Sequence, residues 1–333
     1  MKYLLIPLLG IIVFACKPNR LKIDVSDIEA DVKIYRVDSL LYAGTSEEAI
    51  ENITSIYPNH QNFIDIYTQQ ILKLGEAGTD EFNQNLRRFL NDSVYTQVGV
   101  ETQKVFANID DLKKQFESGY KHLRYYFPDT ELPDIYTYAS GFNHSLVVGD
   151  NFIGVALDKY LGSDCVFYRY LGIHQYIINT MYPQKMVPDA FYAWAVTEYP
   201  NTSENEHLLS NMIYEGKLTY FVEAMMPQMP DSVIMGYSAR KLEWCEKHEA
   251  AMWTYLVERK LLYSSDKLEM RKYLENAPFT QPFTDESPGR TGIWLGWQIL
   301  RSYMNKHPEL SLAELMETND AQLILSQSGY FPE

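Results

Sequence analysis

Paired histidines are missing from this chain. Seven histidines stand among 333 residues, and no two lie at i,i+4, so the two-imidazole face of a His-Glu-x-x-His zinc helix does not arise. The nearest approach is His248-Glu249-Ala250-Ala251-Met252, where a thioether stands in place of the second imidazole and makes a poor zinc ligand. There is no G-x-S-x-G elbow, no G-x-x-x-x-G-K-[ST] loop, no G-x-G-x-x-G turn and no C-x-x-C pair. The signatures of serine hydrolases, P-loop proteins, dinucleotide-binding folds and dithiol redox proteins are thus all lacking. Serine, histidine and aspartate are frequent enough for a triad to assemble in space, but no spacing points to one. Cysteine is scarce, with three in the chain; after Cys16, only Cys165 and Cys245 are left, as one disulfide or as two thiols. Positive charge is also in short supply. Lysine and arginine number 29 against 44 aspartates and glutamates, a net charge of −15, which argues against nucleic acid and against a basic membrane-binding patch.

What is present begins at the N-terminus. Met1-Lys2, an apolar run from Tyr3 to Phe14 and then Ala15-Cys16 have the layout of a secretory signal, with an apolar stretch too short to span a bilayer. The end of that run, Val13-Phe14-Ala15-Cys16, looks like the box of bacterial lipoproteins, in which the cysteine is acylated and becomes the first mature residue. Residues 1–16 are therefore expected to be a lipoprotein signal peptide, residues 17–30 a polar tether starting at Lys17-Pro18-Asn19-Arg20, and residues 31–333 a single globular domain. An apolar content of 46% supports a sizeable core. Membrane attachment then rests on the fatty-acyl chains, palmitate among them, carried by Cys16.

The domain reads as α+β, predominantly α-helical with a small β-sheet. Alternation over residues 31–37 predicts a half-exposed strand. Thr45-Ser46-Glu47-Glu48 has capping-box spacing, and Pro58 separates the helix it starts from another at 61–74. Further helices are expected at 79–90, 94–106 and 110–126. Residues 134–157 turn to β-branched and aromatic runs and are read as two strands in a hairpin, joined by the 31–37 strand. Helices are then expected at 168–181, 187–198, 207–225, 238–262, 266–275 and 288–305, with a short capped pair from Ser311 and Asn319.

The candidate site centres on residues 210–225. Met212, Ile213, Leu218, Phe221, Val222 and Met225 recur near helical spacing, which places Glu215 inside a packed helix. A Glu-Gly pair on such a helix is how one group of zinc peptidases supplies a third metal ligand. Here the preceding helix carries Asp189-Ala190-Phe191-Tyr192-Ala193 where the histidines would be required, so neither metal nor cofactor is expected. Near the C-terminus, Ser287 as N-cap and Pro288 at N1 are expected to open a helix whose Gly292 and Gly296 form a bare strip, with Trp294 and Trp297 beside it. The strip is read as tight packing ahead of a binding role. If both helices line one cleft, its members are Asp189, Glu215, Gly216, Arg290, Gly292, Gly296 and Trp297. Arg290, in the first turn against the helix dipole, is then the cation for Glu215, unless it points to water or pairs with Asp285 or Glu286.

Seven stretches carry a resemblance: 13–16, DVKIYRVDSL at 31–40, HLRYYFPD at 122–129, GVALDKYLGSD at 154–164, MIYEGKLTYF at 212–221, 244–266, and ESPGRTGIWLGWQILRSYM at 286–304. Together they resemble the gliding-motility lipoprotein family GldB over nearly the whole mature chain. The resemblance implies a cell-envelope lipoprotein required for gliding, linked to the machinery that moves and exports adhesins, with protein partners there and no known enzymatic activity. A fainter similarity to gluzincin-type zinc peptidases, through the E-G-x-x-x-Y-F pattern at Glu215–Phe221 and the glycine-rich helix after it, implies a degenerate zincin-like architecture and a non-catalytic relative. The competing reading is an envelope hydrolase with an unrecognised active site. No acidic residues follow Cys16 directly, which favours the periplasmic side.

Overall fold

The computed structural model describes residues 19–202 and 206–333. The expected signal peptide, with Cys16, lies outside the described residues. The chain runs β1 (Ile34–Arg36), α1 (Val37–Tyr42), α2 (Ser46–Asp65), α3 (Asp80–Asn91), α4 (Ser93–Val105) and α5 (Asp110–Tyr126), followed by β2 (Asp134–Tyr138), β3 (Leu146–Gly149) and β4 (Phe152–Ala156). It continues with α6 (Val166–Tyr170), α7 (Gln175–Ile178), α8 (Met186–Glu198), α9 (Leu208–Met225), α10 (Asp231–Met235), α11 (Ala239–Glu258) and α12 (Lys267–Leu274). The last three helices are α13 (Thr291–Lys306), α14 (Leu312–Glu317) and α15 (Ala321–Ser328). The protein is a predominantly helical α+β fold with one small mixed sheet.

The sheet differs from the expected hairpin. The run from Leu146 to Ala156 is itself a hairpin, β3–β4, turning at Asp150-Asn151 with Asn151 at φ 57°, a left-handed conformation that asparagine tolerates in turns. β2 pairs with β4 in parallel, and β1 pairs with β2 in parallel, so the order is β1-β2-β4-β3. Strand alternation sends the two faces into different cores. Ile135, Ile153 and Val155 enter the large helical core, while Tyr136, Tyr138, Phe152 and Ala156 pack against Phe63, Tyr67, Phe82 and Leu86 from the N-terminal helices.

Capping chemistry sets several helix starts as expected. Thr45 and Glu48 form a reciprocal capping box, as do Ser311 and Glu314. The division expected near Pro58 falls two residues after it: α2 is two helical stretches separated at His60, which leaves the helical region (φ −133°), and the second continues from Gln61 and winds on as a π-helix over Ile66–Ile71. The helix expected at 168–181 breaks into α6 and α7 around Gly172 at φ 69°. From Asn19 onward the expected tether is packed on the body. Leu21 is buried, and the Arg20 guanidinium donates to the carbonyls of Met304, His307 (3.2 Å) and Leu310 (2.9 Å) at the end of α13 and the turn beyond it.

At the centre stands α9. Fifteen of its 18 residues are buried, which fits its apolar character on every side, and α5, α8, α13, α14 and α15 all pack on it. It crosses α13 at Gly216 and Gly296. A Cβ on Gly216 would meet the Gly296 carbonyl carbon at 2.5 Å, and one on Gly296 would meet the Met212 oxygen at 1.9 Å, so the two backbones touch. Among the described residues, no helix is long and apolar enough to cross a membrane.

Candidate functional site

Beside that crossing, α8, α9, α10 and the residues entering α13 enclose a cavity of about 350 Å³, lined by Lys185, Asp189, Tyr192, Glu215 and Arg290 among others. Of the expected cleft, Asp189, Glu215 and Arg290 are thus brought together. Gly216, Gly292, Gly296 and Trp297 are not. Gly216 and Gly296 form the helix crossing, and Gly292 packs on Tyr273, its would-be Cβ 3.1 Å from that residue's Cβ. Trp297 is wholly buried and donates its indole N–H to Glu223 Oε2 at 2.7 Å.

Glu215 takes its hydrogen bond from a neighbour that charge rules do not suggest. The Tyr192 hydroxyl donates to Glu215 Oε2 at 2.5 Å. Tyr192 lies one turn after Asp189 on α8, which packs alongside α9, so the rotation of α8 decides which of its side chains meets Glu215. Burial pushes the Glu215 carboxyl up, opposed by the Tyr192 hydrogen bond and by the charge of Arg290. The same site raises the Tyr192 hydroxyl, through burial first and the Glu215 charge second. Asp189 is fully engaged: Lys185 Nζ pairs with Oδ1, and the Tyr160 hydroxyl donates to Oδ2 at 3.1 Å. Lys185, absent from the expected cleft, stands four residues before Asp189, the one sequence spacing by which it was recognisable.

The expected Arg290–Glu215 ion pair is not formed, nor does Arg290 occupy a first helical turn. The helix begins at Thr291, and Arg290 is its N-cap residue in the left-handed region at φ 60°. Ser287 is not the cap. Its hydroxyl donates to the Thr284 carbonyl at 2.6 Å and accepts from the Thr280 N–H at 3.1 Å, while the Thr280 hydroxyl donates to the Pro288 carbonyl at 2.8 Å. Gly289 then lies so close to Ala277 that a Cβ would come within 2.5 Å of its carbonyl oxygen. Pinned by these contacts, the chain turns late and aims Arg290 at the Met235 carbonyl, the C-terminal end of α10, with the guanidinium 5.8 Å from the Tyr237 ring centre. A cation is better placed at that helix end than at the start of α13. Glu286 pairs with Arg240 instead.

A second charged cluster was not legible as a site. Arg301 binds Glu223 through Nε (2.9 Å) and one terminal nitrogen (2.8 Å), binds both oxygens of Asp231, and lies 3.8 Å from the Trp297 ring centre. The i,i+4 relation of Trp297 and Arg301 was its only local signal. Cys165 and Cys245 are free thiols. Among the described residues, no three His, Cys, Asp or Glu side chains form a group that could hold a metal ion.

No curated protein and no solved structure matches the chain. One family does, described as gliding motility protein GldB, and it matches over residues 18–332. With nearly its full length covered, from the packed segment at Arg20 to the residues after α15, the chain belongs to the gliding motility protein GldB family of lipoproteins.

Proposed function

We propose that this envelope lipoprotein is a non-catalytic assembly or stabilising component of the gliding and adhesin-export machinery. It is held through acyl chains on Cys16, on the periplasmic side of the membrane. The observation that carries the reading is how the cavity residues are engaged. Asp189 is neutralised by Lys185, Glu215 is tied to a phenol, and the Thr219 hydroxyl donates to the Glu215 carbonyl of its own helix at 2.8 Å. Among the described residues, no serine, cysteine or histidine lines the wall, and its hydroxyl and amine groups are spent on fixed contacts, Tyr192 on Glu215 and Lys185 on Asp189. Such a pocket suits holding better than turnover.

Cross-linking in cells, followed by affinity capture of the mature lipoprotein, tests this. A stable envelope partner is expected. Peptide cleavage by the purified chain, abolished in Glu215→Gln, or one equivalent of zinc lost in Glu215→Ala, would overturn the reading in favour of a hydrolase.

A further inference from the structure

One carboxylate in the cavity is left half used. Glu215 Oε2 accepts from Tyr192, but Oε1 has no hydrogen-bond partner and the residue makes no ion pair among the described residues. Arg290 is similarly incomplete: one N–H goes to Met235, and among the described residues the remaining guanidinium N–H groups find no acceptor. An anion and a cation thus face one cavity without touching, near enough for the Arg290 charge to bear on the Glu215 carboxyl. Each is held away from the other by its backbone, Glu215 by the tightly crossed α9 and Arg290 by its left-handed residue. A long side chain kept at positive φ is in a strained conformation of the kind that concentrates at ligand clamps. One part of the wall around the pair is apolar, formed by Pro188, Val222, Ile234 and Ile293, and the rest is polar, with Glu275 and Asn276 at its edge.

We propose that this cavity binds the amino terminus of a peptide, its ammonium on Glu215 Oε1 and its first carbonyl oxygen on the Arg290 guanidinium. In an α-amino-acyl group the cationic nitrogen and the acceptor oxygen are three bonds apart, so one unit serves both walls. A lysine side chain would satisfy Glu215 and leave Arg290 empty. The volume lies within the roughly 300–1,000 Å³ of small-ligand sites, and the apolar wall takes an aliphatic first side chain. The rest of the peptide has an exit. Asn276 and Arg290 also line a wider groove of about 750 Å³, bordered by Tyr176, Tyr182, Gln175 and Asn179, whose amides and rings suit an extended backbone.

The inference deepens the partner-holding reading and rests on it for what the peptide belongs to, yet it is measured on purified protein and fails separately. Titration calorimetry of the full mature chain with Leu-Ala-Ala-Ala amide should show binding that falls at least tenfold when the peptide is N-acetylated, and equally in Glu215→Gln. Ile293→Phe, which narrows the cavity without touching the carboxylate, should lose binding as well and serves if Glu215→Gln does not fold. Equal binding of the acetylated peptide, undiminished binding by the variants, or no binding of the free-amine peptide at millimolar concentration would each overturn the proposal, whatever partner is captured from cells.

Discussion

Glu215 shows how a single buried acid shapes stability. Its folded pKa is raised above 4.5, so the native state keeps a proton that the unfolded chain releases first. The contribution of this group to stability is therefore present below about pH 4.5 and is lost as pH rises through the folded value. Glu215→Gln cannot titrate. Relative to wild type, its denaturation midpoint is expected to rise as pH is raised above 4.5, because the fall specific to Glu215 is absent; parallel profiles for the two proteins would contradict this. The sequence showed an acid on an apolar helix and named a cation as its partner, following the rule that buried charges are paired. That partner is a phenol, since Tyr192 reaches the carboxylate directly while Arg290 is drawn to the end of α10.

Between elements, the crossing of α9 and α13 dominates. Gly296→Ala would drive a methyl group into the Met212 backbone, a contact no rotamer change relieves. It is expected to cost more than the ~1–3 kcal/mol typical of overpacking. Gly292→Ala meets its nearest atoms at 3.1 Å and should cost far less; urea midpoints showing the two variants alike would refute the contact model. Arg301 ties the same two helices to α10 through Glu223 and Asp231. Arg301→Met would strand Glu223, whose side chain is 8% exposed, at a cost of roughly 3–5 kcal/mol. Thermal melts with Glu223→Gln added should recover part of that loss. The glycine spacing was legible as a bare strip, but which helix it received was not, since the Gly216 and Gly296 partners lie 80 residues apart in the chain.

At the scale of the molecule, the packed start of the chain sets how the body would stand on the anchor proposed at Cys16. Cys16 stands four positions before Arg20, whose guanidinium is bound at the end of α13. A fully extended chain of that length reaches at most about 14 Å, so the acyl site proposed at Cys16 holds this end of the body close to the bilayer rather than on a long leash. Cys16→Ala is expected to shift the protein from membrane to soluble fractions or to leave an unprocessed precursor. An intact mass equal to that of an unmodified chain in the wild-type protein would show the anchor to be absent.

Much was determined by sequence alone, wherever the deciding forces act within a few residues. The capping boxes at Thr45 and Ser311, the helix around Glu215, the missing histidine pair and the family itself were all written locally. Tertiary structure decided the rest. β2 lies parallel to β4 because the tight Asp150-Asn151 turn consumes the hairpin within a single apolar run. α13 begins at Thr291 because Thr280 and Ala277 hold the chain ahead of it, and Glu215 faces Tyr192 because of how α8 rests on α9. Each of these turns on a contact between segments whose approach is set by core packing, and a periodic pattern says which face is buried but not what it is buried against.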